Sequence, residues 1–198
     1  MKALLLVDIQ NDFLPGGALA VPKGDAIVPV VNQIAEDYPL VAATQDWHPP
    51  GHLSFASSHQ GQESFEKIEL EGLEQTLWPD HCVWDTEGAA FAGELNTGPI
   101  SAIFRKGMDP HVDSYSGFYD NGKRHRTGLA EFLRAHNVDA VDIAGLAAEV
   151  CVTYTARDAA ELGFAVTVLA NATRALDNNA FGDCRQELQN KGVSFAQA

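Results

Sequence analysis

Ala140-Val141-Asp142-Ile143-Ala144-Gly145, followed by Leu146-Ala147-Ala148-Glu149, an amphipathic run from Val150 to Leu162, Gly163, and then Ala165-Val166-Thr167-Val168-Leu169, is the stretch on which the fold turns. A short aliphatic run closed by glycine reads as a strand buried on both faces. The run from Val150 to Leu162 reads as a helix, and Gly163 stands where a C-cap glycine belongs. Strand, helix, strand in so short a span predicts two parallel strands joined by a helical crossover.

The same alternation extends outward. Ala3 to Val7 is a continuous aliphatic strand, and Gly24 to Asp37 a helix whose apolar face is Ile27, Val30, Val31 and Ile34. Leu40 to Thr44 and Ile100 to Phe104 read as further strands, and Thr127 to His136 as a helix with Leu129, Phe132 and Leu133 inward. Asn178 to Asn190 is a last helix, and Val193 to Phe195 a last short strand. The pattern predicts a three-layer, doubly wound α/β fold. It has a central parallel sheet of about six strands with helices on both faces, and it places ligands at the carboxyl ends of the strands. Residues 1–198 read as a single domain. Gln45 to Pro99 is the exception, a long irregular segment that holds Pro49, Pro50, Gly51, Pro79 and most of the histidines. Long loops inside compact domains are functional or disordered, and Trp47, Phe55, Phe65, Trp78, Trp84 and Phe91 argue for order here.

Composition narrows the function. A net charge of -14 opposes nucleic acid as a partner, because a phosphate backbone would be repelled. No apolar run approaches the about 18 residues that a membrane helix needs. The apolar start is too short for a signal peptide and runs into Asp8-Ile9-Gln10-Asn11-Asp12. A cytoplasmic protein is expected, with Cys82, Cys151 and Cys184 as reduced thiols.

Cys151 opens the helix after the strand Val141 to Ala144, where the helix dipole favours a thiolate and nearby N–H groups suit an oxyanion. Read alone, it fits a nucleophile or a buried structural thiol equally well. Asp8 ends the first strand and suits a general base, or a turn cap. Lys106 ends the strand before Gly107 and suits a cation that lowers a thiol pKa, or a solvated lysine. Together the three supply base, cation and sulfur, each at a strand end.

Asp46 and His48 project the same way from an extended segment, and His81 can complete three ligands for a divalent metal. A hydrogen-bonded Asp–His pair on a loop is the other reading. His52, Ser54, Cys82 and His59 are nearby candidates for a further ligand, the first two better placed.

These residues sit in an ordered set of motifs. They are Leu6-Val7-Asp8-Ile9-Gln10-Asn11-Asp12-Phe13, Thr44-Gln45-Asp46-Trp47-His48-Pro49, Trp78-Pro79-Asp80-His81-Cys82-Val83, Phe104-Arg105-Lys106-Gly107, Asp113-Ser114-Tyr115-Ser116-Gly117-Phe118 and Gly145-Leu146-Ala147-Ala148-Glu149-Val150-Cys151-Val152. In that order the chain resembles the nicotinamidases, also called pyrazinamidases, of the isochorismatase-like hydrolase superfamily. The resemblance implies an amidase that converts nicotinamide to nicotinate and ammonia, and pyrazinamide to pyrazinoate, through a cysteine thioester in NAD salvage. It implies a catalytic triad of Asp8, Lys106 and Cys151. It further implies a cis peptide between Leu146 and Ala147, with the N–H groups of Ala147 and Cys151 as oxyanion hole. Asp46, His48 and His81 would carry one divalent metal ion (zinc, iron or manganese), and Phe13, Leu19, Trp78 and Tyr115 would wall the flat substrate ring. The partner is then a small aromatic amide, with no nucleic acid and no membrane, and the chain a monomer or homodimer. The turn before the cysteine departs from the common Ala-Thr-Asp pattern: Ala147-Ala148-Glu149 stands there, and Glu149 keeps the charge while changing the reach. Isochorismatases lack the cysteine, and carbamoyl-amide hydrolases of the superfamily share the triad but not the metal ligands. A silent scaffold would show a broken triad, and a redox thiol protein has no C-x-x-C spacing to point to here.

Overall fold

The structure, a computed structural model, describes residues 1–198. Six strands form one parallel sheet: β1 (Lys2–Val7), β2 (Val41–Asp46), β5 (Ile100–Lys106), β6 (Ala140–Gly145), β7 (Ala165–Thr173) and β8 (Ser194–Ala196). They lie in the order β5-β2-β1-β6-β7-β8. Four helices accompany them: α1 (Val28–Ala35), α2 (Leu129–Ala135), α3 (Thr153–Glu161) and α4 (Asn178–Asn190).

The aliphatic run of β1 explains the layering. Side chains alternate across a strand, so Ala3, Leu5 and Val7 pack into one core with Leu129 and Leu133 of α2, Ala156 and Ala159 of α3, and Leu188 of α4. Leu4 and Leu6 pack into a second core with Val28 and Val31 of α1 and with Phe13, Trp78 and Cys82 from the connecting segments. Leu4, Leu5 and Leu6 are all buried, and each contributes about 1.5–3 kcal/mol by leaving water. A strand with a core on each side has no polar face, which is why its sequence does not alternate.

Four elements differ from the sequence-based expectation. The first helix begins as a 3-10 turn over Gly24–Ile27 and becomes α-helical only from Val28, with Pro29 in the first turn, where its missing N–H costs nothing. The helix expected from Val150 begins as a π turn over Ala148–Val152, with the regular α3 following it. The long irregular segment contains an antiparallel hairpin, β3 (Lys67–Leu70) and β4 (Leu73–Thr76), joined through Glu71 and Gly72 at φ +52° and +80°. Positive φ at both central residues is the hairpin turn that matches strand twist. The hairpin escapes sequence reading because only Gln75 of its eight strand residues is buried, so no hydrophobic alternation marks it. The strand β7 also runs on to Thr173, past the expected Leu169.

Candidate active site

Four neighbouring strands end together. Asp8 follows β1, Asp46 closes β2, Lys106 closes β5, and Cys151 lies in the π turn after β6. The carboxyl edge of a parallel sheet leaves room there because each chain turns away toward a helix. Two backbone features hold the edge. Asp8 sits at φ +49°, a conformation rare outside glycine and concentrated at functional sites. Gly145, at φ +136°, brings β6 so close to β1 that a Cβ would stand 2.0 Å from the Val7 carbonyl oxygen. Only glycine fits, and the nucleophile turn departs from that point.

Lys106 joins the charged groups. Its Nζ lies 2.9 Å from Asp8 Oδ2 and 3.0 Å from Asp46 Oδ1, donates to the Ser114 carbonyl at 2.8 Å, and stands 3.5 Å from Cys151 Sγ. Asp8 Oδ1 accepts a 2.6 Å hydrogen bond from the Thr44 hydroxyl. Its Oδ2 faces the ammonium without an aligned hydrogen bond, so it keeps a lone pair free in the interior. All of these groups are buried, and burial is the largest single influence on the titration of Asp8, Lys106 and Cys151. It raises the Asp8 carboxyl, with Lys106 pulling the other way. It pushes the Cys151 thiol well above the usual range, again against Lys106. Burial also disfavours the Lys106 ammonium, but the two carboxylates overcome this and hold it charged. Desolvation thus favours the neutral forms of both Asp8 and Cys151, and the Lys106 ammonium opposes it at each. Cys151 sits in the π turn ahead of α3. Such turns interrupt helices at functional positions.

Asp46, His48 and His81 form a second buried group, with one potential ligand atom each and all three within 4.8 Å of one another. Asp46 Oδ2 lies 3.1 Å from His48 Nε2 and 3.4 Å from His81 Nε2. The other ring nitrogens are anchored behind: His48 Nδ1 is 2.9 Å from the Gly107 carbonyl and His81 Nδ1 is 2.8 Å from the Pro79 carbonyl. With Nδ1 donating to a carbonyl, each Nε2 has a lone pair that it could offer to a cation shared with the Asp46 carboxylate. A backing hydrogen bond of this kind orients metal-bound histidines. Two imidazole nitrogens and a carboxylate oxygen, converging in the interior, suit a divalent cation. Gly107 is the floor of this cradle, since a Cβ there would stand 2.4 Å from His48 Cε1.

Of the further ligand candidates, His52, Ser54 and His59 have side chains engaged elsewhere, and the Cys82 backbone is held on both sides. His52 Nδ1 meets Ser54 Oγ at 2.7 Å and its Nε2 meets the Asp109 carbonyl at 2.7 Å. Its ring packs against His48, and burial with the neighbouring His48 charge lowers its pKa to about 4. His59 Nε2 is 2.8 Å from the Leu53 carbonyl. The Cys82 N–H donates to Asp12 Oδ2 at 2.7 Å, and its carbonyl accepts from the His48 N–H at 2.9 Å.

The two groups meet at one small pocket, reached by Cys151 from the first and by Asp46 and His81 from the second. Phe13, Leu19, Trp78 and Tyr115 wall it, and Asp46, His81, Ala147 and Cys151 also reach it. The Leu146–Ala147 peptide is cis. The Ala147 N–H finds no acceptor within the protein. Trp78 Nε1 donates to the Tyr115 hydroxyl at 3.3 Å, setting the two rings edge to face. Sequence reading missed Asp113, Val150 and Leu176 of the lining.

It also missed the supports. Gln10 grips the Asp46 backbone with both ends of its amide, accepting from its N–H and donating to its carbonyl at 2.8 Å each. Buried Gln75 donates to Asp113 Oδ2 at 3.0 Å and to the Tyr115 hydroxyl at 3.1 Å. The Glu149 carboxylate accepts from the N–H groups of Leu176 and Asp177, at 3.2 and 2.6 Å, so the longer residue does brace the nucleophile turn. Gln10 and Asp12 lie in the first of the ordered motifs, whereas Gln75 and Leu176 lie in none.

An isochorismatase domain model matches residues 2–185. A nicotinamidase of Escherichia coli K12 is 48% identical over 180 residues, covering 89% of this chain and 84% of the relative. The solved nicotinamidase/pyrazinamidase of Acinetobacter baumanii superposes with a TM-score of 0.96 at 42% identity, covering 99% of this chain and 95% of that one. A pyrazinamidase of Pyrococcus horikoshii, solved in complex with zinc, superposes with a TM-score of 0.81 at 37% identity, covering 100% of this chain and 99% of that one.

Proposed function

The chain belongs to the isochorismatase family, and we propose that within it this protein is a nicotinamidase/pyrazinamidase, hydrolysing the carboxamide of nicotinamide to nicotinate and ammonia. The observation that carries this reading is convergence: Cys151, with Lys106 and Asp8 behind it, and Asp46 and His81 of the Asp–His–His group face one cavity walled by Phe13, Leu19, Trp78 and Tyr115.

In this reading Asp8 is the general base. Thr44 and Lys106 hold it in place, and its free Oδ2 lone pair takes the Cys151 proton as sulfur attacks the amide carbon. Lys106 stays an ammonium throughout and balances the negative charge that develops. The N–H groups of Ala147 and Cys151 receive the oxyanion, each such donor being worth about 3–4 kcal/mol in comparable sites. Asp8 returns the proton to the departing nitrogen, so ammonia leaves and a thioester remains. Asp8 then accepts a proton from water as its oxygen adds to the thioester, and nicotinate and the free thiol are released. Asp46, His48 and His81 would hold one zinc, iron or manganese ion, whose chemistry there is that of a Lewis acid for the lone pair of the pyridine nitrogen. The flat walls, Phe13, Leu19, Trp78 and Tyr115, orient the ring.

We take residues 1–198 as one domain and the protein as cytoplasmic, monomeric or homodimeric, with its product returned to NAD synthesis. No helix is long and apolar enough to cross a membrane. The test is ammonia release from nicotinamide by the wild type and by Cys151→Ala. Release that vanishes in the variant supports the assignment; full release by the variant removes Cys151 as nucleophile.

A further inference from the structure

The cavity has a closed end and a mouth. Phe13, Leu19 and Trp78 are buried, whereas Tyr115, Val150 and Leu176 are half-buried and form the rim. Leu176 belongs to the stretch between β7 and α4, which has no regular structure of its own. Its position depends on the nucleophile turn. The Glu149 carboxylate takes the N–H of Leu176 on Oε2 and that of Asp177 on Oε1, while the Ala148 N–H donates to the Arg174 carbonyl at 2.8 Å. The Asp177 side chain then caps α4 through the N–H groups of Asn179 and Ala180, so the segment is pinned at both ends. A charged acceptor holding two backbone donors in a half-buried setting is a strong restraint.

We propose that Glu149 is a positioning residue that seats Leu176 at the pocket mouth, and that Leu176 thereby determines which substituents on an aromatic amide the site admits. The substrate class rests on the function proposed above; the gating of Cys151 by size does not. An apolar side chain at a rim discriminates by bulk, and one or two methylene groups of misfit alter rates by roughly tenfold or more. Gln in place of Glu keeps the shape but offers one acceptor where two are needed, and its NH2 confronts the second N–H. The segment then loses half of its anchor and Leu176 is released.

The experiment compares wild type, Leu176→Ala, Glu149→Gln and the double variant with two probes. The first is alkylation of Cys151 by iodoacetamide and by the bulkier N-phenylmaleimide, followed by mass spectrometry of the Cys151 peptide. The second is ammonia release from nicotinamide and from nicotinamide carrying a ring substituent. Leu176→Ala is expected to raise the bulky-to-small rate ratio about tenfold, and Glu149→Gln to raise it in the same direction by less. Because Glu149 acts through Leu176, the double variant should match Leu176→Ala instead of adding to it. Equal slowing of both probes in Glu149→Gln, or a lowered melting temperature with an unchanged ratio, would make Glu149 merely structural and overturn the proposal. An unchanged ratio in Leu176→Ala would do the same. Should wild type release no ammonia from nicotinamide, the amidase reading fails while the alkylation ratio still decides the gate.

Discussion

The two halves of the site are built differently. Asp8, Lys106 and Cys151 stand at or just beyond the ends of β1, β5 and β6, so the hydrogen-bond ladders of the sheet set their spacing. His48, His81 and the Trp78 wall come from the irregular segment between β2 and β5. Their spacing is set one bond at a time, by the Gly107 and Pro79 carbonyls behind the rings and by Asp12 and Gln10 behind the backbone. Lys106 touches both halves, through Asp8 and Asp46. In the proposed mechanism the sheet supplies the reacting groups and Asp46, while the loop supplies the two histidines and the Trp78 wall. This is the division expected when variable connections are mounted on a rigid scaffold.

If the halves are separable, each should fail alone. The largest effect belongs to the sheet half. Asp8→Asn keeps the shape and removes the base, and should lower the rate of amide hydrolysis by about 10²–10⁴-fold. Bound metal, measured by elemental analysis, should stay at the wild-type level, and its loss would show that the halves are one unit. Next comes the loop half. Gly107→Ala forces a Cβ against His48 and strains a residue at φ +68°. Metal affinity should fall by roughly 10–100-fold, as when the support behind a ligand is disturbed. The alkylation rate of Cys151 by iodoacetamide should hold, and a parallel drop would break the comparison. The smallest effect lies furthest out, at the turn of the hairpin. Glu71→Asn suits a position at φ +52° better than a glutamate does. It should raise stability by roughly 0.5 kcal/mol, read as a small rise in melting temperature at unchanged activity. A change in activity would mean that the hairpin reaches the site through more than Gln75.

The two halves were also unequally legible. The strands that carry the reacting groups were visible as aliphatic runs ending in Asp8, Lys106 and the turn before Cys151: β1 and β6 are buried on both faces and so are apolar along most of their length, whereas the edge strand β5 alternates between half-buried and exposed residues. In the metal group, alternation along an extended segment aligned Asp46 with His48, but His81 was visible only as a residue type in an ordered motif. Nothing in Asp46, His48 and His81 by themselves says that the imidazole nitrogens converge. The Gln75 hairpin was not visible at all, since a surface hairpin closed by Glu71-Gly72 carries no strong alternation and no Asn-Gly signal.

What the sequence determined by itself is the order of buried strands and helices and the identity of the groups at the strand ends, because hydrophobic periodicity and strand termination are local properties of the chain. What only the tertiary structure decided is how distant segments meet. Gln10 holds the backbone of Asp46, Asp12 that of Cys82, Gln75 the side chains of Asp113 and Tyr115, and Glu149 the backbone of Leu176. Each is a side chain satisfying a polar group from another part of the chain. Such pairing leaves no periodic trace, because it is imposed by the cost of leaving a buried donor or acceptor unpaired once the fold has formed.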